Sequence, residues 1–481
     1  MKKAILFLLI STAFTGFWAC KKDKLITDSS AKLDFSTKSI LFDTVFTQVG
    51  SVTKSFKLYN RHNSPIKISS VRLVGGTASN FRINVDGTPG IEFEDIQVEA
   101  NDSLFIFVEV TVDPNNQNNP IVISDSVEFV TNSNEQFVHL EAWGQDAHFI
   151  VPTVFPNNGI PYSTIPCNAV WTNDKPYVIY GLAIIPSGCS LTIQQGCRIH
   201  MHAGSILAAD SAGTLIVNGA QHNEVTFQGD RLEPAYADAP GQWGFIWLSS
   251  QSVNNSVSWA IIKNGYIGLR CDSFPSSGPT VTINNTIIKN MSAAAVYGID
   301  AKITGYNSVF ANCGQYVAAL TIGGEYNFFH CTFANYWSYD TRQFPTLILN
   351  NYYTDVNNNL QTRALDSANF YNCIIYGSLD DEIKLDQSTS TGPAYNYKFH
   401  YCDIKTTGNT ANTHYTSCVV NQDPAFMNAG TNDYRLGPLS NAINKGDMQV
   451  TVWYPFLNID LAGHPRILDG PPDCGAYEYA P

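Results

Sequence analysis

Asn284-Asn285-Thr286-Ile287-Ile288-Lys289-Asn290, Tyr306-Asn307-Ser308-Val309-Phe310-Ala311-Asn312 and Phe329-His330-Cys331-Thr332-Phe333-Ala334-Asn335 are one pattern written three times. The same pattern stands at Ser258-Trp259-Ala260-Ile261-Ile262-Lys263-Asn264, at Tyr371-Asn372-Cys373-Ile374-Ile375-Tyr376-Gly377 and, shortened, at Tyr401-Cys402-Asp403-Ile404-Lys405-Thr406. Its central apolar residue recurs at Ile262, Ile288, Phe310, Phe333, Ile375 and Ile404, in steps of 26, 22, 23, 42 and 29 residues. A strand-sized unit repeated at this period cannot bury its apolar side alone, so it must stack on its neighbours. The pattern therefore predicts a coil of parallel β-rungs over 150–430. The long step is a rung with an insertion, or two short rungs.

Stacking turns positions into columns. The central apolar residues form an interior file. Two positions earlier, Ala260, Thr286, Ser308, Cys331, Cys373 and Cys402 form a file of small residues on the same inward face, because side chains alternate with period two. Cysteine there reads as a small buried hydrophobe. Asn264, Asn290, Asn312 and Asn335 follow the strand, where Asn tolerates turn conformations and its amide reaches its copy one rung away. Lys263 and Lys289 stand at equivalent outward positions, with later members Ala311, Ala334, Tyr376 and Lys405 reading as ordinary surface. Strand–turn units from Leu182 to Leu248 place the start of the coil upstream of the first clear repeat.

Residues 33–147 carry a different rhythm. Ser55–Tyr59, Ile66–Val74, Phe81–Val85, Leu104–Val110, Ser126–Val130 and Phe137–Leu140 alternate apolar and polar residues between turn-forming stretches. About seven short strands in so few residues predict a β-sandwich. The fold class expected is all-β: an N-terminal immunoglobulin-like sandwich, a parallel β-helix, and a C-terminal cap over 431–481. A solenoid needs such a cap because its last rung is open. Asp460, Arg466, Asp469 and Glu478 would pair to lock it, with a calcium site from the same carboxylates as the alternative; no other cofactor is expected.

The N-terminus has the order of an export signal: Lys2 and Lys3, then the apolar run from Ala4, then Phe17-Trp18-Ala19-Cys20. Residues 1–19 read as a signal peptide and 20–32 as a linker. The tetrapeptide resembles a bacterial lipobox, which implies lipidation of Cys20 and a membrane anchor. Ordinary cleavage, with Cys20 a plain residue, is the alternative. Of the 11 cysteines, none forms a C-x-x-C pair, which argues against a zinc or redox site. A formal net charge of −13 without a dense Lys/Arg stripe argues against nucleic-acid binding.

Leu41-Phe42-Asp43-Thr44-Val45-Phe46-Thr47, the Phe56 to Asn60 strand and Ala142-Trp143-Gly144-Gln145-Asp146-Ala147 resemble the Hydin-like immunoglobulin modules of secreted Bacteroidetes-type lipoproteins. The units from Leu182 onward, with Gln242-Trp243-Gly244-Phe245-Ile246-Trp247-Leu248, resemble the opening rungs of pectin-lyase-like right-handed β-helix proteins. The resemblance implies an exported lipoprotein on the outer membrane, facing either the periplasm or the cell exterior. It also raises polysaccharide lyase chemistry, for which a basic side chain must remove the proton beside a uronate carboxylate. Lys263 and Lys289, with Arg270 and Asp272 further on, are the candidates. Stacked lysines repel, which would lower one pKa toward that of a base. The insertion 336–371 supplies a separate candidate, a sugar platform of flat aromatic faces beside fixed polar groups. Trp337, Tyr339, Arg342, Tyr352 and Tyr353 are its residues. Glycan or other extracellular-partner binding leads, with a carbohydrate-active enzyme and a structural or adhesive envelope protein as alternatives.

Overall fold

The computed structural model describes residues 24–47, 50–113, 121–272, 278–390 and 392–480. The signal peptide and Cys20 lie outside them. The chain divides between Asp146 and Ala147 into two compact units.

The first unit holds two five-stranded sheets around one apolar core. One sheet runs Asp34–Phe35, Lys54–Tyr59, Ser103–Val110, Phe81–Val85, Thr88–Gly90; the other runs Ser39–Phe46, Asn134–Gln145, Ile121–Thr131, Ile66–Leu73, Glu92–Val98. Alternate residues such as Phe56, Leu58, Ile106 and Val108 face Phe129, Val138 and Leu140 in that core. The linker expected over 20–32 is partly built into this unit. Ile26 bridges Ile66 and Ala31 is buried, because the core takes up the apolar residues just ahead of its first strand.

The second unit is a parallel coil. Through the first turns each strand pairs with the one three places later, as Leu182–Ile185 with Ile206–Ala209 and Ser190–Gln194 with Thr214–Asn218. Each of these turns carries three strands, one in an 11-stranded sheet and two in a 17-stranded sheet; further on, Ala294–Tyr306 and Ala318–Phe329 each run through both positions of the larger sheet. The predicted interior file is continuous: Ile262, Ile288, Phe310, Phe333, Ile375 and Ile404 are successive register partners, and Phe227 extends the file one rung upstream, all fully buried. Phe310 and Phe333 stack with centroids 5.0 Å apart. The long step is one rung with an insertion. Thr332–Asn335 pairs directly with Ile374–Gly377, while Tyr352–Thr354 and Leu360–Thr362 form an antiparallel hairpin.

The asparagine ladder has a single amide-to-amide link: Asn312 Nδ2 donates to Asn290 Oδ1 at 2.8 Å. Asn335 instead bonds the backbone of Cys313, and Asn264 that of Tyr236 and Ala237. Asn264, Asn290 and Asn312 have φ of 69°, 56° and 56°, the left-handed region that Asn visits most readily after Gly. Asn312→Gly keeps that backbone and removes the bond to a buried partner. An expected loss of about 1–2 kcal/mol follows, and Asn312→Ala adds about 1 kcal/mol of left-handed penalty. Urea unfolding of the two variants checks both values.

The tail corrects two expectations. It runs along the side of the coil instead of closing only its last rung. Tyr434, Leu461 and Ala476 pack on Val309, Ala311 and Ala334, and Leu436, Ala442 and Cys474 pack on Ile374 and Tyr376. The outward column read as ordinary surface is therefore interior at Ala311, Ala334 and Tyr376. The reason is compositional: these rungs are apolar on both faces, so a second layer must cover the outer one. Arg466 and Glu478 form the expected pair at 2.7 Å, and Arg466 also donates to Asn307 Oδ1 at 2.6 Å across the seam. Asp460 accepts the backbone N–H of Glu478, and Asp473 those of Asn444 and Tyr479. Asp469 is exposed and stands outside this network. With these carboxylates taken up by a guanidinium and by backbone donors, the calcium alternative loses its ligands. Among the described residues no group of three His, Cys, Asp or Glu side chains is placed to hold a metal.

Candidate functional site

A groove of about 440 Å³ opens on the 17-stranded sheet. It is lined by Tyr266, Tyr297, Tyr316, Tyr352 and Tyr353, with Ile267, Ala293, Ala294, Ala319, Ile322 and Ile348 between the rings and Gln315, Thr321 and Asn350 as polar points. The coil itself produces this surface. Successive rungs place Trp247, Arg270, Tyr297, Ala319, Ile348 and Lys384 in one outward column. The small residues at Ala319, Ala293 and Ala294 leave the hollow, and the rings stand around it.

The polar points are held in place. Asn350 Oδ1 accepts the backbone N–H groups of Ile322 and Tyr352, both at 3.2 Å, and its amide donates to Asp386 at 3.3 Å. Tyr352 Oη donates to the other oxygen of Asp386 at 3.0 Å. That bond, chiefly, raises the Tyr352 pKa; burial chiefly raises that of Tyr316. Both phenols thus stay neutral hydrogen-bonding groups. Ile322 has φ 61°, followed by Gly323 and Gly324 in the left-handed half of backbone space. A β-branched residue held there is strained, and such strain collects at binding surfaces. None of the lining residues carries a positive charge.

The predicted site residues separate into three places. Tyr352 and Tyr353 line the groove, and Arg270 borders it one rung from Tyr297. Arg270 is paired two-fold with Asp272, at 2.9 and 3.0 Å, and lies over Trp247 at 5.3 Å.

Lys263 and Lys289 are register partners, as expected, but belong to the other sheet. Lys263 donates to the Ala237 carbonyl at 2.8 Å, and Lys289 lies 3.9 Å from Asp238. The Lys289 pKa is lowered, mainly by burial and only secondarily by its lysine neighbour. Trp337 and Tyr339 are associated with this second place: their rings lie 5.0 Å apart and Tyr339 donates to the Asp238 carbonyl at 2.8 Å. Tyr339 is 53% exposed.

Arg342 is a correction. Its side chain is only 3% exposed and is clamped on Glu382 by two hydrogen bonds of 2.7 Å. Glu382 also accepts from the backbone and hydroxyl of Thr346 and from the Leu379 N–H. Of its nitrogens only Nε lacks a partner, and that atom is buried out of a ligand's reach. Instead it anchors the insertion, because a buried carboxylate and guanidinium need each other.

Sequence reading missed Tyr266, Tyr297 and Tyr316. They follow the asparagine turns at offsets that differ from rung to rung, so no column of tyrosines shows in the alignment. Extending the repeat past each asparagine into the next strand is the signal that finds them.

No protein-family model matches the chain, and none of the curated proteins does. Among solved structures, a family 123 glycoside hydrolase from Clostridium perfringens is similar over 24% of this chain and 26% of its own, at 9% identity and a TM-score of 0.17. This chain thus spans about a quarter of that enzyme's length. The catalytic unit of a GH87 α-1,3-glucanase from Streptomyces thermodiastaticus is matched over 76% of this chain and 89% of its own, at 10% identity and a TM-score of 0.16. A GH87 α-1,3-glucanase catalytic domain in complex with nigerose is matched over 78% and 92%, at 11% and 0.18. At such scores these likenesses carry no argument about function.

Proposed function

We propose that this protein binds a glycan along the tyrosine-lined groove of a right-handed parallel β-helix. The observation that carries the reading is the convergence of five tyrosines around a hollow whose polar points are fixed by Asn350 and Asp386. Flat aromatic faces take the C–H face of a sugar ring, and amides and hydroxyls take its hydroxyls. The absence of a positive side chain from the lining favours a neutral saccharide over a uronate. Right-handedness follows the strong preference of parallel crossovers.

The test is titration calorimetry with neutral oligosaccharides and, in parallel, oligogalacturonates. Tyr297→Ala and Tyr316→Ala are each expected to weaken binding of the neutral ligand about ten-fold, the equivalent of about 1.4 kcal/mol. Affinity unchanged in both variants, or no heat with any saccharide, ends the proposal.

A second reading has one observation in its favour. Lys289, with its lowered pKa, stands beside Asp238, whose carbonyl Tyr339 bonds, and one rung from Lys263, and would serve as the base of a polysaccharide lyase. It predicts new absorbance from unsaturated products, abolished in Lys289→Met.

The N-terminal unit is proposed to be an immunoglobulin-like spacer between a lipid anchor at Cys20 and the coil. The disulfide between Cys167 and Cys189 supports export to an oxidising compartment. Partition of the whole protein into detergent, lost in Cys20→Ala, checks the anchor.

A further inference from the structure

The file of small inward residues ends in four thiols. Thr332, Ile374, Asp403 and Val419 are successive register partners, so the residue before each, Cys331, Cys373, Cys402 and Cys418, occupies the same place on four neighbouring rungs. The backbone repeats with them: the N–H groups of Ile374, Asp403 and Val419 donate to the carbonyls of Cys331, Cys373 and Cys402 at 2.9–3.0 Å. The thiols also sit alike. Cys373 donates to the Phe328 carbonyl at 3.5 Å, Cys402 to that of Phe370 at 3.3 Å, and Cys418 to that of Phe399 at 3.4 Å.

The coil already bridges two of its rungs. Cys167 and Cys189 are joined across a sequence separation of 22, with Cα atoms 4.9 Å apart. Parallel neighbours are held at about that spacing, which lies within the range a disulfide spans. Of the eight free cysteines among the described residues, Cys418 is the one that is not buried.

We propose that Cys402 and Cys418 are a redox modification site, which a small-molecule disulfide converts into a cross-rung bridge at the open end of the coil. Cys418, as its thiolate, attacks one sulfur of the oxidant, giving a mixed disulfide and releasing one thiolate. Cys402 then attacks the Cys418 sulfur, forming the Cys402–Cys418 bond and expelling the second thiolate. The two cysteine protons pass to the two released thiolates, so the oxidant is reduced to two thiols and the protein loses two hydrogens. The order follows from access, because the oxidant reaches Cys418 first. Burial opposes ionisation of Cys402, while hydrogen bonds from Cys373 and Cys418 favour its thiolate. The same bond to Cys402, with burial, raises the Cys418 pKa and makes the first attack slow and faster with rising pH.

The full-length protein is incubated with oxidised glutathione, denatured with alkylation, and analysed by mass spectrometry and peptide mapping. The expected result is a loss of two thiols and one linked pair of peptides holding Cys402 and Cys418. The same pair found before treatment is equally supportive. Cys418→Ser is expected to leave Cys402 reduced. It is expected to fold, because Thr286 and Ser308 fill the same file on earlier rungs. Three results overturn the proposal: a thiol count that does not change in protein whose Cys402 and Cys418 start reduced, glutathione retained on Cys418 beside a free Cys402, or a bridge between Cys402 and Cys373.

Discussion

Replacing Glu382 with Ala is expected to destabilise the coil by about 3–5 kcal/mol, the cost of leaving a buried charge without its partner. Glu382 is fully buried and gathers Arg342, Thr346 and Leu379 N–H on its two oxygens. Without it, the Arg342 guanidinium retains only the Asn335 and Phe344 carbonyls and the Ser378 hydroxyl. The damage reaches the groove, because Thr346 leads directly into Leu347–Asn350, the strand that carries Ile348 and Asn350 to the lining. Urea unfolding and saccharide titration of the same variant are expected to worsen together. Replacing both partners, as Arg342→Met with Glu382→Leu, is expected to recover most of the stability, since an apolar pair of similar volume removes both desolvation costs. If Glu382→Ala is lost by less than about 1 kcal/mol, the range of an exposed pair, the clamp has been misread.

The second large effect is acid-dependent and belongs to His200. Burial is the main cause that lowers its pKa to about 4; its Nδ1 stands 3.3 Å from the Gly229 carbonyl. The sign is that of a depressed base. The unfolded chain takes up the proton near pH 6.5 and the folded chain only near 4, so between these values the unfolded state binds more protons. The stability tied to neutral His200 is complete above about pH 6.5 and is lost as pH falls toward 4, at about 1.4 kcal/mol per pH unit. The difference in unfolding free energy between His200→Leu and the parent isolates this from every carboxylate. It is expected to shift in favour of the variant by about 3 kcal/mol between pH 7 and pH 4. A difference that stays flat over this range contradicts the assignment. His330 is held neutral in the same way, by burial and then by Arg466, under the tail that Arg466 and Glu478 lock. His330→Leu is expected to shift in the same direction.

The coil was legible because its signal is repeated. Ile262, Ile288, Phe310, Phe333, Ile375 and Ile404 each repeat the same local demand, and stacking is the one arrangement that meets all six. The alternating strands of the first unit were legible for a similar reason, since Phe56-Lys57-Leu58 can bury only one face. The residues of the aromatic cluster proved to lie in different places. Tyr352 and Tyr353 line the groove, Arg342 is a structural anchor, and Tyr339, with Trp337 against its ring, is bonded to the Asp238 carbonyl.

By itself, then, the sequence determined the β-rungs, the interior file, the small-residue file that became a run of thiols, and the need of Arg466 for a carboxylate among Asp460, Asp469 and Glu478. Each of these depends on a period or on a charge that cannot be buried alone. Tertiary structure alone decided which outward positions stay at the surface. Ala311 and Tyr297 both lie outward on their rungs, yet one is sealed under Tyr434 and Leu461 while the other rims an open groove. That choice depends on where a tail more than a hundred residues later lies down. A periodic pattern tells inward from outward, and it holds no record of what covers the outside.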